Sequence, residues 1–303
     1  MKVRSIYWIL VFVAVLATGC RNGDIDESMS DTEKLELLNL KIDKHPNDAA
    51  LLSQRARVLL NLGRANEAKF DIEQAVKQAP ENVDYLMLQA DICFSVGDAD
   101  ESYKALTEAE RLDPKSKEIQ LKMGELTFYK HDYERSLRHM TNVTEKEPDN
   151  LTALTIKAFI YKETGDTANA VTLLRKVCDI NPEYALAFEE LGVLYATHHD
   201  PLAVEYLDAA LRIEPTNTNT MYALAMYYQE TGEYAEAEKL YRQMLDVNAA
   251  SADAWHNLGW IEMEVYGDMA QAIEYFNKAL EADPEHSGAL TNRQRAQEIQ
   301  QLK

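Results

Sequence analysis

Seven of the eight prolines in this 303-residue chain stand at positions 46, 80, 114, 148, 182, 215 and 284. The first four gaps are 34 residues each, the next is 33, and the last, of 69, skips one rung, where Ala249 stands in Val247-Asn248-Ala249-Ala250. A fixed period of this size means that one small supersecondary unit is repeated along the chain. Such a unit buries its apolar face against its neighbours rather than in one central core. Proline lacks an N–H and its ring clashes with the preceding turn, so each rung marks where a helix stops.

Three further series keep the same step. Small residues recur at Ala56, Ala90, Gly124, Ala158, Gly192, Ala225 and Gly259, and again at Ala68, Ser102, Ser136, Ala170, Ala203, Ala237 and Ala272. A large apolar series runs Ile72, Leu106, Met140, Leu174, Leu207, Tyr241 and Phe276. Small side chains let two helices of one unit approach closely, and the large series fills the space between them. Gly63, Gly97, Gly165 and Gly232 fall between the paired helices, where a left-handed residue ends the first.

This spacing resembles the tetratricopeptide repeat (TPR), whose pattern opens Trp-x-x-Leu-Gly-x-x-Tyr and continues through Ala, Phe and Pro. Trp255-His256-Asn257-Leu258-Gly259 and Phe188 to Tyr195 match the opening, and Tyr234 to Tyr241 matches the second helix. Seven repeats are expected, at 49–82, 83–116, 117–150, 151–184, 185–217, 218–251 and 252–286. Residues 31–48 hold an N-terminal capping helix with Leu35, Leu38 and Ile42 on one side, and 287–303 a polar C-terminal capping helix. The resemblance implies an all-α TPR α-solenoid wound as a right-handed superhelix. One residue is lost near His198-His199-Asp200-Pro201 and one gained near Glu264-Val265-Tyr266-Gly267, both expected in the turns between helices. Gln120 and Thr127 replace larger apolar residues, which predicts the softest packing in the third repeat.

The first twenty residues have a different logic. Lys2 and Arg4 precede an apolar run from Ile6 to Ala17. As helix the run measures about 18 Å, too short for a bilayer core of about 30 Å. A basic head, a short apolar middle and a small-residue end describe a secretory signal peptide, 1–19. Leu16-Ala17-Thr18-Gly19-Cys20 resembles the bacterial lipobox, with Ala17 where Leu is commoner. That resemblance implies cleavage before Cys20 and its acylation with chains such as palmitate, an essentially permanent membrane anchor. Arg21 follows where an inner-membrane retention signal would place Asp, which favours the outer membrane. Residues 20–30 read as a polar tether; within them Asp24-Ile25-Asp26-Glu27 also resembles acidic surface-export signals, and both readings stand.

The net charge of −20 argues against nucleic acid as a partner, because phosphates would be repelled. Three cysteines allow no disulfide framework, and Cys93 and Cys178 fall on apolar positions as buried free thiols. No zinc-ligand spacing, nucleophile elbow or phosphate-binding glycine loop occurs. His198-His199-Asp200 is the one compact metal candidate, and a polar turn accounts for it better. No enzyme, metal or cofactor is expected.

In this family the first helices line a concave, partner-binding groove. The positions just off the core stripe include Ser53, Arg57 and Asn61; Met87, Asp91 and Phe94; Leu121, Glu125 and Phe128; Thr155, Phe159 and Lys162; Glu189 and Val193; Tyr222, Met226 and Gln229; and His256, Trp260 and Met263. The binding candidates among them are Arg57, Asp91, Phe94, Glu125, Phe128, Phe159, Glu189, Tyr222, Met226 and Trp260. Ser53, Arg57, Met87 and Asp91 do not supply the Lys and Asn clamp for C-terminal carboxylates. Aromatic and Met groups beside acids suit a protein segment with apolar anchors and basic neighbours. For Phe94, Phe128 and Phe159, groove and core readings both stand. The expected function is a lipid-anchored scaffold or adaptor, working as a monomer, that gathers proteins at the bacterial cell envelope. The alternative is a receptor for a small peptide or glycan, using Trp260, Tyr222 and Asp253.

Overall fold

The computed structural model describes Asp26 and residues 28–302. The expected signal peptide and Cys20 therefore lie outside the described residues. All regular structure among the described residues is helical. The chain divides into two compact units, one ending at Ile119 and the other starting at Gln120.

The first unit opens with α1 (Asp31–Lys44), then the pairs α2 (Ala49–Asn61) with α3 (Ala65–Gln78) and α4 (Val83–Ser95) with α5 (Ala99–Leu112). The division falls within α6 (Lys117–Tyr129). In the second unit follow α7 (Tyr133–Lys146), then α8 (Leu151–Glu163) with α9 (Thr167–Ile180) and α10 (Ala185–Ala196) with α11 (Leu202–Ile213). After them come α12 (Thr218–Thr231) with α13 (Tyr234–Val247), α14 (Ala252–Ile261) with α15 (Met269–Ala282), and α16 (Ser287–Gln301). Within each unit a helix packs on its partner and on the next helix in sequence, as expected of stacked helical hairpins.

The periodic residues do the packing. Ala56, Ala68, Ile72, Ala158, Ala170, Leu174, Ala225, Ala237, Tyr241, Ala272 and Phe276 are all fully buried. Where the small residue is glycine, a Cβ would press on the neighbouring helix. At Gly192 it would stand 2.4 Å from Leu207 Cγ, and at Gly259 2.7 Å from a Phe276 ring carbon. Each residue before a rung proline has left the helical region, as Pro Cδ requires; Ala79 has φ −135° and ψ 71°. Asn248 takes the same shape, φ −140° and ψ 96°, although Ala249 follows it. The turn thus survives the missing proline.

Gly63, Gly97, Gly165 and Gly232 have φ between 73° and 85°, the left-handed conformation their spacing predicts. His131 (φ 57°), His199 (φ 50°) and Gly267 (φ 69°) hold the same place in the remaining turns. His199 is thus the pivot of a turn, and no group of three His, Cys, Asp or Glu side chains among the described residues could hold a metal ion.

The missing residue is taken up where the turn runs into α11, and the extra one inside a helix rather than in a turn. The missing residue tightens the start of α11, where Ala203 N–H bonds to Asp200 O and Val204 N–H to Pro201 O in three-residue steps. The extra residue is taken up by a π-helical segment, Glu262–Tyr266, at the end of α14. The repeat containing Gln120 holds a buried polar cluster rather than a void. Gln120 Oε1 lies 2.8 Å from His139 Nδ1 and accepts from Asn142 Nδ2 at 3.0 Å, and Thr127 Oγ1 donates to Met123 O at 2.6 Å.

Candidate functional site

In the first unit, Arg57 is exposed on α2 and lines an open cleft of about 340 Å³ with Asp31, Lys34, Ser53, Gln54 and Asn61. Asp91 is half-buried and Phe94 is 45% exposed, both on α4. Met87, one turn earlier, is buried and belongs to the core rather than to a groove.

The second unit brings several candidates together. Phe128 of α6 and Phe159 of α8 are half-buried, with ring centroids 6.3 Å apart, and Tyr133 of α7 packs on Phe128 at 5.8 Å. Lys162 Nζ lies 5.4 Å from the Phe159 ring centre and is held there by Glu190 of α10 at 2.7 Å. Consecutive first helices are therefore bridged by an aromatic pair and then by an ion pair. Glu125 is exposed on α6. Phe128 and Phe159 thus each pack on a neighbour while keeping part of their surface in water.

Other candidates serve the stack. The Glu189 carboxylate accepts from Thr220 Oγ1 at 2.5 Å and Asn217 Nδ2 at 3.1 Å, tying α10 to the start of α12. Tyr222 lies 6.4 Å from Tyr241, whose hydroxyl approaches Met226 Sδ at 3.3 Å and Gln229 Oε1 at 3.1 Å. Burial raises the Tyr241 phenol above its ordinary value, so it stays a neutral donor. Trp260 rests on Tyr234 at 6.4 Å. Asp253 pairs with His286 at 3.2 Å. Tyr222, Trp260 and Asp253 are therefore each attached to a different partner. Thr155 and Met263 are buried and leave the groove set.

One feature lies outside the expected face. Phe188, Tyr206, Arg175, Cys178, Asp179 and Pro182 line an open cleft of about 590 Å³. Tyr195 stacks on Tyr206 at 5.4 Å, and Arg175 Nη2 donates to the Tyr195 hydroxyl at 2.5 Å. The sequence signal is Phe188 itself. It stands where other repeats have Leu52, Leu86, Leu154 or Met221, and a ring there calls for a ring opposite.

Among the described residues no helix is long and apolar enough to cross a membrane. Tetratricopeptide repeat family models match residues 53–117, 151–184 and 222–287. Tetratricopeptide repeat protein 8 of Caenorhabditis elegans is 27% identical over 148 residues, covering 48% of this chain and 29% of its own length. Type IV pilus assembly protein PilF of Pseudomonas aeruginosa is 30% identical over 126 residues, 40% of this chain and 48% of that protein. The chain thus spans less than half the length of either relative. Among solved structures, YrrB, described as a TPR protein with an unusual peptide-binding site, superposes with a TM-score of 0.52 at 21% identity, over 63% of this chain and 99% of that one. MamA gives 0.51 at 23% identity, over 56% and 92%. At these identities the structures speak for the fold alone. The family matches together take in more than half of the residues, and the chain belongs to the tetratricopeptide repeat family.

Proposed function

We propose that this chain is a non-enzymatic adaptor, anchored by lipid at Cys20 to the outer membrane of a bacterial envelope, whose first helices grip segments of partner proteins. The observation that carries the reading is the half-exposed pair Phe128 and Phe159 beside the Lys162–Glu190 bridge. A partly exposed aromatic surface with fixed charges at its rim suits an apolar anchor flanked by polar residues. Rings already packed on neighbours lose little freedom when a partner covers them. The similarity to PilF supports a place in assembling an envelope machine. The lipobox-like Leu16 to Cys20 supports the anchor.

Two experiments test the two halves separately. Site-specific photocrosslinking from position 125, on the exposed face of α6 one turn before Phe128, in intact cells should yield defined protein adducts that disappear in Phe128→Ala/Phe159→Ala, with the helical circular dichroism retained. Adducts that persist with the fold intact would count against the gripping surface. Labelled palmitate should enter the chain and be lost in Cys20→Ala, which should leave the membrane fraction. An unlabelled, soluble wild-type chain would remove the anchor and leave the adaptor reading standing.

A further inference from the structure

The last helix, α16, is fastened by a pair of histidines. The N-cap positions of α2, α4, α8, α12 and α14 carry Asp48, Asn82, Asn150, Asn217 and Ser251, whose side-chain oxygens accept the first backbone amides. At α16 that place is held by His286, whose Nδ1 accepts from Ala289 N at 3.0 Å. An imidazole nitrogen that accepts carries no proton, so Nε2–H is the donor, and it points to Asp253 Oδ1 of α14 at 3.2 Å. The ring lies 4.8 Å from that of His256, also on α14, at an interplanar angle of 36°. His256 Nε2 stands 3.0 Å from Asn292 Nδ2, one turn further along α16, and so accepts as well. Gly288 packs so closely that a Cβ there would stand 2.9 Å from His256 Nε2. Two neutral imidazoles thus each receive a hydrogen bond from α16.

We infer that His256 and His286 form a pH-operated latch that holds the start of α16 at neutral pH and releases it in mild acid. Protonation turns each accepting nitrogen into a donor facing another donor. Asn292 could answer by turning its amide, but the lost cap at Ala289 has no such remedy. Two imidazolium rings this close also repel. The groups facing the pair are Asp253 from α14, the uncharged Phe276 ring from α15 and the neutral Asn292 from α16. The arginines of α16 are engaged elsewhere, Arg293 with Asn277 and Arg295 with Glu264. A proton on His256 is opposed first by burial and then by the neighbouring His286, which hold His256 below its ordinary value. The unfolded or undocked chain takes that proton near pH 6.5, the docked chain only lower. Docking is therefore full above that pH and weakens as pH falls beneath it. What α16 uncovers is the apolar end formed by Met263, Phe276, Met269 and Ile273.

Hydrogen exchange of the full chain at pH 7.5 and 5.5, corrected for intrinsic chemistry, reads the latch directly. Relative to α12 and α13, the amides of α16 should lose severalfold in protection at the lower pH, up to the roughly tenfold that a proton taken near pH 6.5 by the undocked chain alone can supply at pH 5.5. In His256→Gln/His286→Asn, which restores an Asn cap without a titrating ring, the ratio should stay constant between the two pH values. Unchanged protection of α16 in the wild type overturns the latch, and so does equal loosening in the variant. Should circular dichroism show that the double variant folds poorly, His286→Asn alone must shrink the acid loss, and an undiminished loss overturns the proposal.

Discussion

Asp71 of α3, almost wholly buried, is clasped by Arg55 of α2 through Nε to Oδ2 at 2.6 Å and Nη2 to Oδ1 at 2.7 Å. The same guanidinium reaches Asn39 of α1 through Nη1 at 3.0 Å, so one side chain joins three helices. Such a pair is costly to break from one side, because the remaining charge is left without its partner. The sides are unequal: Arg55 keeps 22% of its side chain in water and Asp71 only 2%. Arg55→Met should therefore lower stability by about 2–4 kcal/mol and Asp71→Ala by about half as much. The double change Arg55→Met/Asp71→Leu should recover part of the loss. Urea unfolding of the four proteins gives the cycle, and equal losses from the two single changes would contradict the asymmetry.

The glycines inside helices allow a sharper comparison. A Cβ at Gly124 would meet Met140 Cε at 2.2 Å, the far end of a flexible side chain. At Gly192 it would meet Leu207 Cγ at 2.4 Å and the Leu207 backbone nitrogen at 3.1 Å, which cannot swing away. Gly124→Ala is expected to cost about 1 kcal/mol or less and Gly192→Ala about 2–3 kcal/mol, since overpacking is relieved only where something can move. Thermal unfolding of both variants should order them so.

The turns show how far the sequence could be read. Spacing placed left-handed residues at Gly63, Gly97, Gly165 and Gly232 because glycine is the usual occupant. Continuing the 34-residue step from Gly97 lands on His131, and from Gly165 on His199; residue type concealed what period alone would have found. A non-glycine residue held left-handed costs roughly 1 kcal/mol. His199→Gly should therefore stabilise the protein by about 0.5–1 kcal/mol, since it gives up only an exposed contact with Glu230 at 3.7 Å. His131→Gly should gain less, because His131 Nδ1 lies 2.9 Å from the Tyr133 hydroxyl and the rings meet edge to face. Equal gains would mean that the Tyr133 contact is idle.

The groove was less legible than the stack. Periodicity assigns a residue to a helix face, but whether that face is wet depends on how the next hairpin leans over it. Hence Met87, Thr155 and Met263, one step off the core stripe, are buried. Glu189 looked like a rim acid, and only the juxtaposition with Asn217 and Thr220 reveals it as a brace between repeats. The extra residue near Tyr266 sits in a helix rather than in a turn for a related reason. A helix can absorb one residue as a tighter or wider turn, which leaves no mark in composition.

The two buried thiols predict how stability responds to alkali. Burial pushes Cys93 and Cys178 up from 9.0 to about 11, most strongly opposing the thiolate in each case. Between those values the unfolded chain has lost a proton that the folded chain keeps, so stability falls as pH rises. The loss per thiol reaches at most about 2–3 kcal/mol near pH 11, at about 1.4 kcal/mol per pKa unit. In a Cys20→Ala background, which leaves only these two thiols, Ellman's reagent at pH 8 should label the native protein far more slowly than the urea-unfolded one. Adding Cys178→Ala should then flatten the decline in urea stability between pH 9 and 10.5 relative to the same protein with Cys178 present. The comparison is needed because Tyr228 and Tyr241, also raised chiefly by burial, contribute decline of the same sign. Rapid native labelling at pH 8, or an unaltered slope without Cys178, would show that these thiols are not held neutral by the packing around them.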